Sequence, residues 1–547
     1  MKKGVFFLFY LIVSHLTFSK TVELAKLSKG KLVKNKTLFD RDKDDIYGYF
    51  LIFEKDKIAQ EKYLYEYVLL DKNLNKVSNG EFTQTRLLKG SGLPVIFNPV
   101  YRNGFITIGI GWNLEFWGYK TYAYRLLDVK ENKLSDDFTL LSDLTKKYNP
   151  ETKGGKNIVT FFYKPNPFGY SLRAAILTDI DKKMKKANWG DHIFEGKHDN
   201  GYSRMNKTYF VNEKLEPLWS YSYNEEEPNM REYMVISFLN NDDKHNNNIL
   251  TAFKSFEEKA NYNKIKKGEL SGSYLFFDKN NGKLLAEVFP YSKPSKKWEI
   301  KDVSIKSSFV DEAKQTVTFI SHTMNTWEIF VDENLIWGFS RAEYSLVNGN
   351  ELNRSYFSWN QLSPYLNINE YGYVKEKGEP ECYLYLHDVI MKDDENMIFI
   401  MEQYRSYSKF MVINDLFFME LDKEMQVVNF QKIEKQNRVI LSNFKMNGSM
   451  VNSYGYFDYT GYQDLGNDNY LFFYYNKQKP EGGGKKQWVM GIVSYIDGKF
   501  SEQKLPLKSE DDSDMEITPA KKGYIMVYET FKDKDKSAEL RLEKINY

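Results

Sequence analysis

Short apolar runs along this chain end in an acidic or amide turn, and a second amphipathic run follows. The clearest copies are Tyr65–Phe82 (YEYVLLDKNLNKVSNGEF), Tyr122–Phe138 (YAYRLLDVKENKLSDDF), Tyr274–Phe289 (YLFFDKNNGKLLAEVF), Phe417–Ile433 (FFMELDKEMQVVNFQKI) and Val489–Leu505 (VMGIVSYIDGKFSEQKL). Weaker copies lie at Ile176–Trp189, Tyr209–Tyr221 and Glu328–Phe339. Strand-favouring residues lead into Asp, Asn or Gly and then resume, as in an antiparallel hairpin with a solvated Lys- and Asn-rich tip.

Several hairpins follow an earlier strand pair. Val95–Val100 and Phe105–Gly111 flank Arg102-Asn103-Gly104; His387–Met391 and Met397–Met401 flank Asp393-Asp394-Glu395; Met515–Thr518 and Tyr524–Tyr528 flank Lys521-Lys522-Gly523. The repeating unit is therefore four short antiparallel strands. One such unit cannot bury both its faces, and radial stacking of several units does so. The pattern predicts an all-β chain forming a β-propeller of seven or eight four-stranded blades, a single domain over residues 20–547. Two or three β-sandwiches are the competing architecture. Uneven spacing predicts long insertions near Lys197–Asn206, Glu257–Gly268 and Val347–Pro380. The last unit supplies three strands, ending in Ala538–Ile545 (AELRLEKI), so the strand-like Val22–Val33 is expected to complete it and remove two sheet edges.

The first 19 residues read differently. Lys2 and Lys3 precede the apolar run Val5–Val13, and Thr17 and Ser19 supply small residues before Lys20, the pattern of a cleaved export signal. That run is about half the roughly 20 residues a spanning helix needs, and no later stretch is apolar enough to span. The expected address is periplasmic or extracellular. The sole cysteine, Cys382, forbids an internal disulfide and lies far from the signal, which argues against an acylated anchor there. Stability must then come from a large core. Charge is balanced, with 77 Lys and Arg against 75 Asp and Glu, and removal of Lys2 and Lys3 makes the counts equal. A nucleic-acid binder would show a basic excess. Aromatics reach 16% of residues, which suits strands.

Strand–Asp-turn–strand units with Lys- and Asn-rich tips behind an export signal resemble exported bacterial β-propeller-like proteins of unknown function. The resemblance covers most of the chain beyond residue 19 and implies a fold. It carries over no catalytic residue, and the chain has neither the Trp-Asp dipeptide of WD40 repeats nor the double glycine of kelch repeats.

Chemistry is sparse. No GxSxG, P-loop, HExxH, CxxC or glycine-rich dinucleotide motif occurs. Gly482-Gly483-Gly484 reads as a flexible tip, and Glu510–Asp514 as a solvated loop. Asp40, Asp42 and Asp44, with Asp45, space carboxylates alternately, as calcium prefers. An EF-hand is excluded, because Asp45 stands where the loop needs glycine and Leu51 where it needs glutamate. A solvated turn before the next strand explains these carboxylates more simply, and no cofactor is required. Asp191, His192, His198 and Asp199 offer zinc donors at a spacing that fits no common motif. Trp112, Phe116, Trp117 and Tyr119 crowd one interstrand segment, GWNLEFWGYKTY, where flat apolar faces can stack on sugars or anchor a protein.

These readings favour a non-catalytic exported binding or scaffold protein, with a protein or glycan partner at the cell envelope, no nucleic acid and no membrane span after signal removal. A glycan-active hydrolase or lyase with its site at the propeller channel is the alternative, since hydrolysis needs two carboxylates across a pocket. A structural component of a surface assembly is the third.

Overall fold

The computed structural model describes residues 20–40, 45–59, 62–85, 94–96, 99–113, 120–136, 158–166, 169–176, 207–214, 216–222, 232–238, 248–258, 272–290, 300–325, 336–375, 381–478, 487–507, 513–531 and 538–545. Among them, strands β1 to β34 form eight antiparallel sheets, each a four-stranded meander, two with an additional strand. Blade 1 holds β2 (Lys31–Asp40), β3 (Asp45–Ala59), β4 (Lys62–Asp71) and β5 (Lys76–Thr85). In blade 2, β6 (Pro94–Ile96) and β7 (Val100–Arg102) share the first position beside β8 (Phe105–Asn113), followed by β9 (Lys120–Asp128) and β10 (Lys133–Leu134). Blade 3 contains β11 (Ile158–Asn166), β12 (Gly169–Ile176), β13 (Lys207–Val211) and β14 (Pro217–Ser222). Blade 4 contains β15 (Glu232–Phe238), β16 (Ile249–Glu258), β17 (Gly272–Asp278) and β18 (Leu284–Val288). Blade 5 is β19 (Ile300–Asp311), β20 (Thr316–Asn325), β21 (Gly338–Ser345) and β22 (Glu351–Ser358). Blade 6 is β23 (Tyr383–Met391), β24 (Met397–Ser406), β25 (Phe410–Leu421) and β26 (Val427–Ile433), with β27 (Arg438–Leu441) paired to the first half of β25. Blade 7 is β28 (Tyr459–Gly466), β29 (Asn469–Gln478), β30 (Gln487–Ile496) and β31 (Lys499–Pro506). Blade 8 takes β32 (Ser513–Pro519), β33 (Tyr524–Phe531) and β34 (Glu539–Lys544) from the end of the chain and β1 (Lys20–Glu23) from its start.

The middle strands are apolar at successive positions because both their faces are buried, each against a different neighbour. On β3, Tyr49, Leu51 and Phe53 pack toward blade 8, while Phe50 and Ile52 pack toward blade 2. Met397, Phe399 and Met401 of β24 meet blade 5, and Ile398 and Ile400 meet blade 7. Similar seams join blades 4 to 5 and 7 to 8. Blade 2 meets blade 3 where β9 lies against β11, and blade 3 meets blade 4 where the Trp219 indole donates to the Lys279 carbonyl at 2.8 Å. Each blade thus packs on the next, and blade 8 packs on blade 1. The ring is closed, and its architecture is a β-propeller.

Closure uses the N-terminus, but less of it than the hydrophobic pattern suggests. Thr21 and Val22 stand opposite Arg541 and Leu540 in β1–β34. A short helix, α1 (Leu24–Leu27), then redirects the chain into blade 1 and plugs Leu24, 4% exposed, into the seam between blades 8 and 1.

The five clear hairpins and Tyr209–Tyr221 are all the third and fourth strands of blades. Of the other weak copies, residues 328–335 of Glu328–Phe339 lie outside the described residues. Its last residue, Phe339, is the second of β21, which pairs outward with β22, inside the stretch expected to be an insertion. β22 (ELNRSYFS) was illegible because it is an outer strand, exposed along most of its length, and has no apolar alternation to read. Ile176 ends β12, and the remainder of that copy lies outside the described residues. Ser513 and Asp514, expected in a loop, open β32 with Ser513 buried.

The turns explain the Asp and Asn signal. The Asp71 carboxylate accepts from the amides of Asn73 and Asn75, both at 2.8 Å, and Asn212 does the same for Lys214 and Glu216 at 2.9 Å. Leu74 and Met425 adopt positive φ in such turns and are buried, each filling an interblade seam.

Candidate functional site

A meander places its turns alternately at two ends, so the ring has two unlike faces. One face carries the turns between first and second strands and between third and fourth strands, and these are stitched together. Asn248 donates to Glu312 at 2.9 Å, Lys314 to Glu395 at 2.7 Å, the Asp393 amide to Asp468 at 3.0 Å, and Lys521 to Asn73 at 2.6 Å. These links run from blade 4 through blades 5, 6 and 7 and from blade 8 to blade 1, and the Gln463 side chain joins blade 7 to the Ala520 carbonyl of blade 8 at 2.9 Å. The opposite face receives the crossings between blades and the connections from second to third strands. It is the loop-bearing face.

This geometry separates the two sequence-derived candidate sites. Trp112 is the next-to-last residue of β8, opposite Thr121 and Pro94, at the loop-bearing end of blade 2. Phe116, Trp117 and Tyr119 lie outside the described residues. Asp40 is buried at the end of β2, opposite Asp45, at the stitched face. Asp42 and Asp44 lie outside the described residues, as do Asp191, His192, His198, Asp199 and Gly482–Gly484. The aromatic segment and the acidic segment therefore leave strands at opposite ends of the ring and do not build one site. Among the described residues, no group of three His, Cys, Asp or Glu side chains is arranged to hold a metal ion. Cys382 is buried beside Val374.

Blade 6 carries a lobe on the loop-bearing face that the sequence reading missed. Beyond the split in β25, β27 and helix α2 (Gly448–Ser453) enclose a small core of Tyr404, Met411, Ile413, Met446, Val451 and Phe457. Asn447 caps α2, accepting from the Met450 amide at 2.8 Å. Outside this core, apolar side chains face solvent: Phe410 and Leu441 stand opposite each other across the β25–β27 ladder, and Leu441 is 86% exposed. Val439, Phe444 and Tyr454 are also exposed, as are Lys409 and Lys445. The Ser442 amide donates to the Lys409 carbonyl at 3.0 Å, which holds the β24–β25 tip against the Phe444 turn as one surface.

Beneath the lobe, the blade 6–7 seam holds a buried charge network. The Lys435 ammonium donates to Glu402 at 2.5 Å and to Asp458 at 2.8 Å, and none of these three side chains is exposed. The other Glu402 oxygen is paired with His387 Nε2 at 3.0 Å and accepts from the Tyr459 amide at 3.2 Å. Arg438 donates to Asp458 at 3.0 Å. Burial opposes the charge on Glu402, but the Lys435 ammonium and His387 hold its pKa down to about 2. Burial and the adjacent Glu402 charge push Asp458 upward, against Lys435 and Arg438. Burial opposes Lys435 too, and the two carboxylates raise its pKa. Two cations facing two anions, with Glu402 also accepting from the Asp458 amide at 3.1 Å, describe a satisfied structural lock. Phe457 and Tyr385 pack edge-on against His387 at 4.7 and 5.0 Å.

A third feature lies on the inner strands. First strands of neighbouring blades touch, β2 with β7, β11 with β15, β19 with β23 and β28 with β32, so they line the centre of the ring. Lys34 and Lys36 sit two residues apart on β2, and Lys306 occupies a bulge in β19. Burial lowers the pKa of each, and Lys36 lowers Lys34 further; Glu516 of β32 opposes the shift in Lys34 and Lys36. Lys306 is accessible to solvent yet desolvated, as expected for a side chain in a confined wet space. Burial and then Lys306 push the pKa of His322, behind it on β20, well below its ordinary value.

Comparison with known proteins adds little chemistry. Residues 405–546 match a family of unknown function (DUF6770). No curated protein matches the chain. Among solved structures, a europium-containing methanol dehydrogenase is similar at 10% identity and a TM-score of 0.34, over 96% of this chain and 95% of that one. An acylaminoacyl peptidase of Pyrococcus horikoshii gives 9% identity and 0.33, over 94% of this chain, which spans 60% of the peptidase. The β-propeller domain of the Trilobed protease from Pyrococcus furiosus gives 6% identity and 0.31, covering 83% and 96%.

Proposed function

We propose that this protein is a non-catalytic exported binding or scaffold protein of the cell envelope, periplasmic or extracellular, that holds a protein or glycan partner on its loop-bearing face. The observation that carries the reading is the blade 6 lobe. Phe410, Val439, Leu441 and Phe444 are apolar, exposed and joined into one surface, flanked by Lys409 and Lys445. Contiguous exposed apolar side chains rimmed by polar ones mark interaction surfaces, because leaving them in water has no folding benefit. The Trp112-to-Tyr119 segment leaves β8 on this same face but in blade 2, four blades away from the lobe, so it would be a separate contact point. Export is supported by the apolar run at Val5–Val13 behind Lys2 and Lys3, outside the described residues. Among the described residues, no helix is long and apolar enough to cross a membrane.

The test compares wild type with Phe410→Ser/Leu441→Ser and with Trp112→Ala/Trp117→Ala, on an array of envelope glycans and against proteins of the producing cell's envelope. The lobe variant should melt at the wild-type temperature and lose at least tenfold in binding. Equal binding by wild type and both variants refutes the reading.

A further inference from the structure

We infer, resting on the blade 6 lobe as the binding surface, that its partner is an extended acidic peptide added as a strand to the outer edge of β27. The Ser442 amide donates to the Lys409 carbonyl at 3.0 Å, and the β25–β27 register sets Met411 opposite Ile440 and Ile413 opposite Arg438. Antiparallel pairs alternate between hydrogen-bonded and non-hydrogen-bonded, so these three pairs are the bonded ones. Val439 and Leu441 therefore turn their N–H and C=O groups away from β25, and no strand among the described residues lies beyond them. Their side chains share one face of the ladder with Phe410 and are open to solvent, 63% and 86% exposed. An outward row of backbone groups with apolar side chains at alternate positions is a template for another strand, and proteins blunt such edges with charge. Other outer strands here are blunted: Glu81 on β5, Glu351 on β22, and Glu502 and Lys504 on β31 are exposed. β27 instead presents Val439 and Leu441.

Charge selects the occupant. The two chain segments of the lobe, residues 403–414 and 436–457, contain Arg405, Lys409, Arg438 and Lys445 and no Asp or Glu. A second copy of the lobe would bring like charges together, whereas an acidic strand is attracted. By the period of two, Lys409 and Arg438 fall on the face opposite Val439 and Leu441. A strand alternating apolar and acidic residues matches both faces, its backbone giving affinity and its side chains specificity.

The experiment measures calorimetric binding of the full chain to short synthetic peptides alternating Val with Glu or Val with Lys. Two further forms of the Val-Glu peptide are N-methylated, one at every valine and one at every glutamate. The Val-Glu peptide should bind and slow hydrogen exchange of the 438–441 amides, and the Val-Lys peptide should bind at least tenfold more weakly. An added strand uses one of its two edges, so one N-methylated form should lose binding at least tenfold and the other retain it. Val439→Pro removes an outward-facing amide, which an edge strand tolerates. It should melt near the wild-type temperature and weaken the Val-Glu peptide at least tenfold, while Val439→Ala retains it. A wild type that ignores the Val-Glu peptide, binds the Val-Lys peptide equally, or binds both N-methylated forms as it binds the parent overturns the proposal. So does a wild type that dimerises through residues 438–441, or one whose lobe-dependent binding is confined to glycans. The outcome is separable from that of the lobe itself. Loss of envelope binding in Phe410→Ser/Leu441→Ser but not in Val439→Pro keeps the surface and removes the strand; retention in both removes the surface as well.

Discussion

Replacing Lys435 by Met tests whether the seam between blades 6 and 7 is locked by charge. The substitution keeps the side chain's length and removes the ammonium that bridges Glu402 at 2.5 Å and Asp458 at 2.8 Å. Arg438 remains on Asp458 and His387 on Glu402, but two carboxylates with no exposure are left sharing one full cation. Removing one partner of a buried pair costs about 3–5 kcal/mol, because the surviving charge keeps its desolvation penalty without its compensation. Lys435→Met should therefore lose about that much in a urea titration, read from the midpoint with an unchanged slope. The triple variant Lys435→Met/Glu402→Gln/Asp458→Asn removes the stranded charges along with the cation, and should recover most of the loss. The reasoning is refuted if Lys435→Met costs less than about 1 kcal/mol, or if the triple variant is no more stable than the single one.

The same network sets a pH response. Glu402 has a folded pKa near 2, below its ordinary value, so its contribution is fully present above the ordinary carboxylate range and is lost as pH falls toward 2. Glu402→Gln should flatten stability against pH in that window; an unchanged slope in acid urea titrations would place the proton uptake elsewhere. Closure of the ring is tested by Leu24→Ala, which empties a buried site where blade 8 meets blade 1. A loss of about 2–4 kcal/mol in the urea midpoint is expected, and a neutral result would mean that the N-terminal strand does not hold the ring.

The fold was legible wherever a strand is buried on two faces or a turn demands a particular residue. Runs such as YEYVLL and FFMEL are continuous because each face meets a different blade, and Asp71 and Asp278 precede turns because their carboxylates accept the turn amides. Strands exposed on the rim, such as β22, left no period to read. The early apolar run at Val5–Val13 and the lack of motif chemistry were also readable, since both depend on residue types close together in sequence.

What the chain could not announce is where distant residues meet. Lys435 and Asp458 look like ordinary surface charges until β24, the 434–438 crossing and β28 converge and exclude water from them. Local propensity and burial pattern acted over a few residues and determined an all-β chain of repeated hairpins. The tertiary structure decided which face is stitched and which bears loops, and which charges lose water, because desolvation and electrostatic pairing depend on distance in space rather than along the chain.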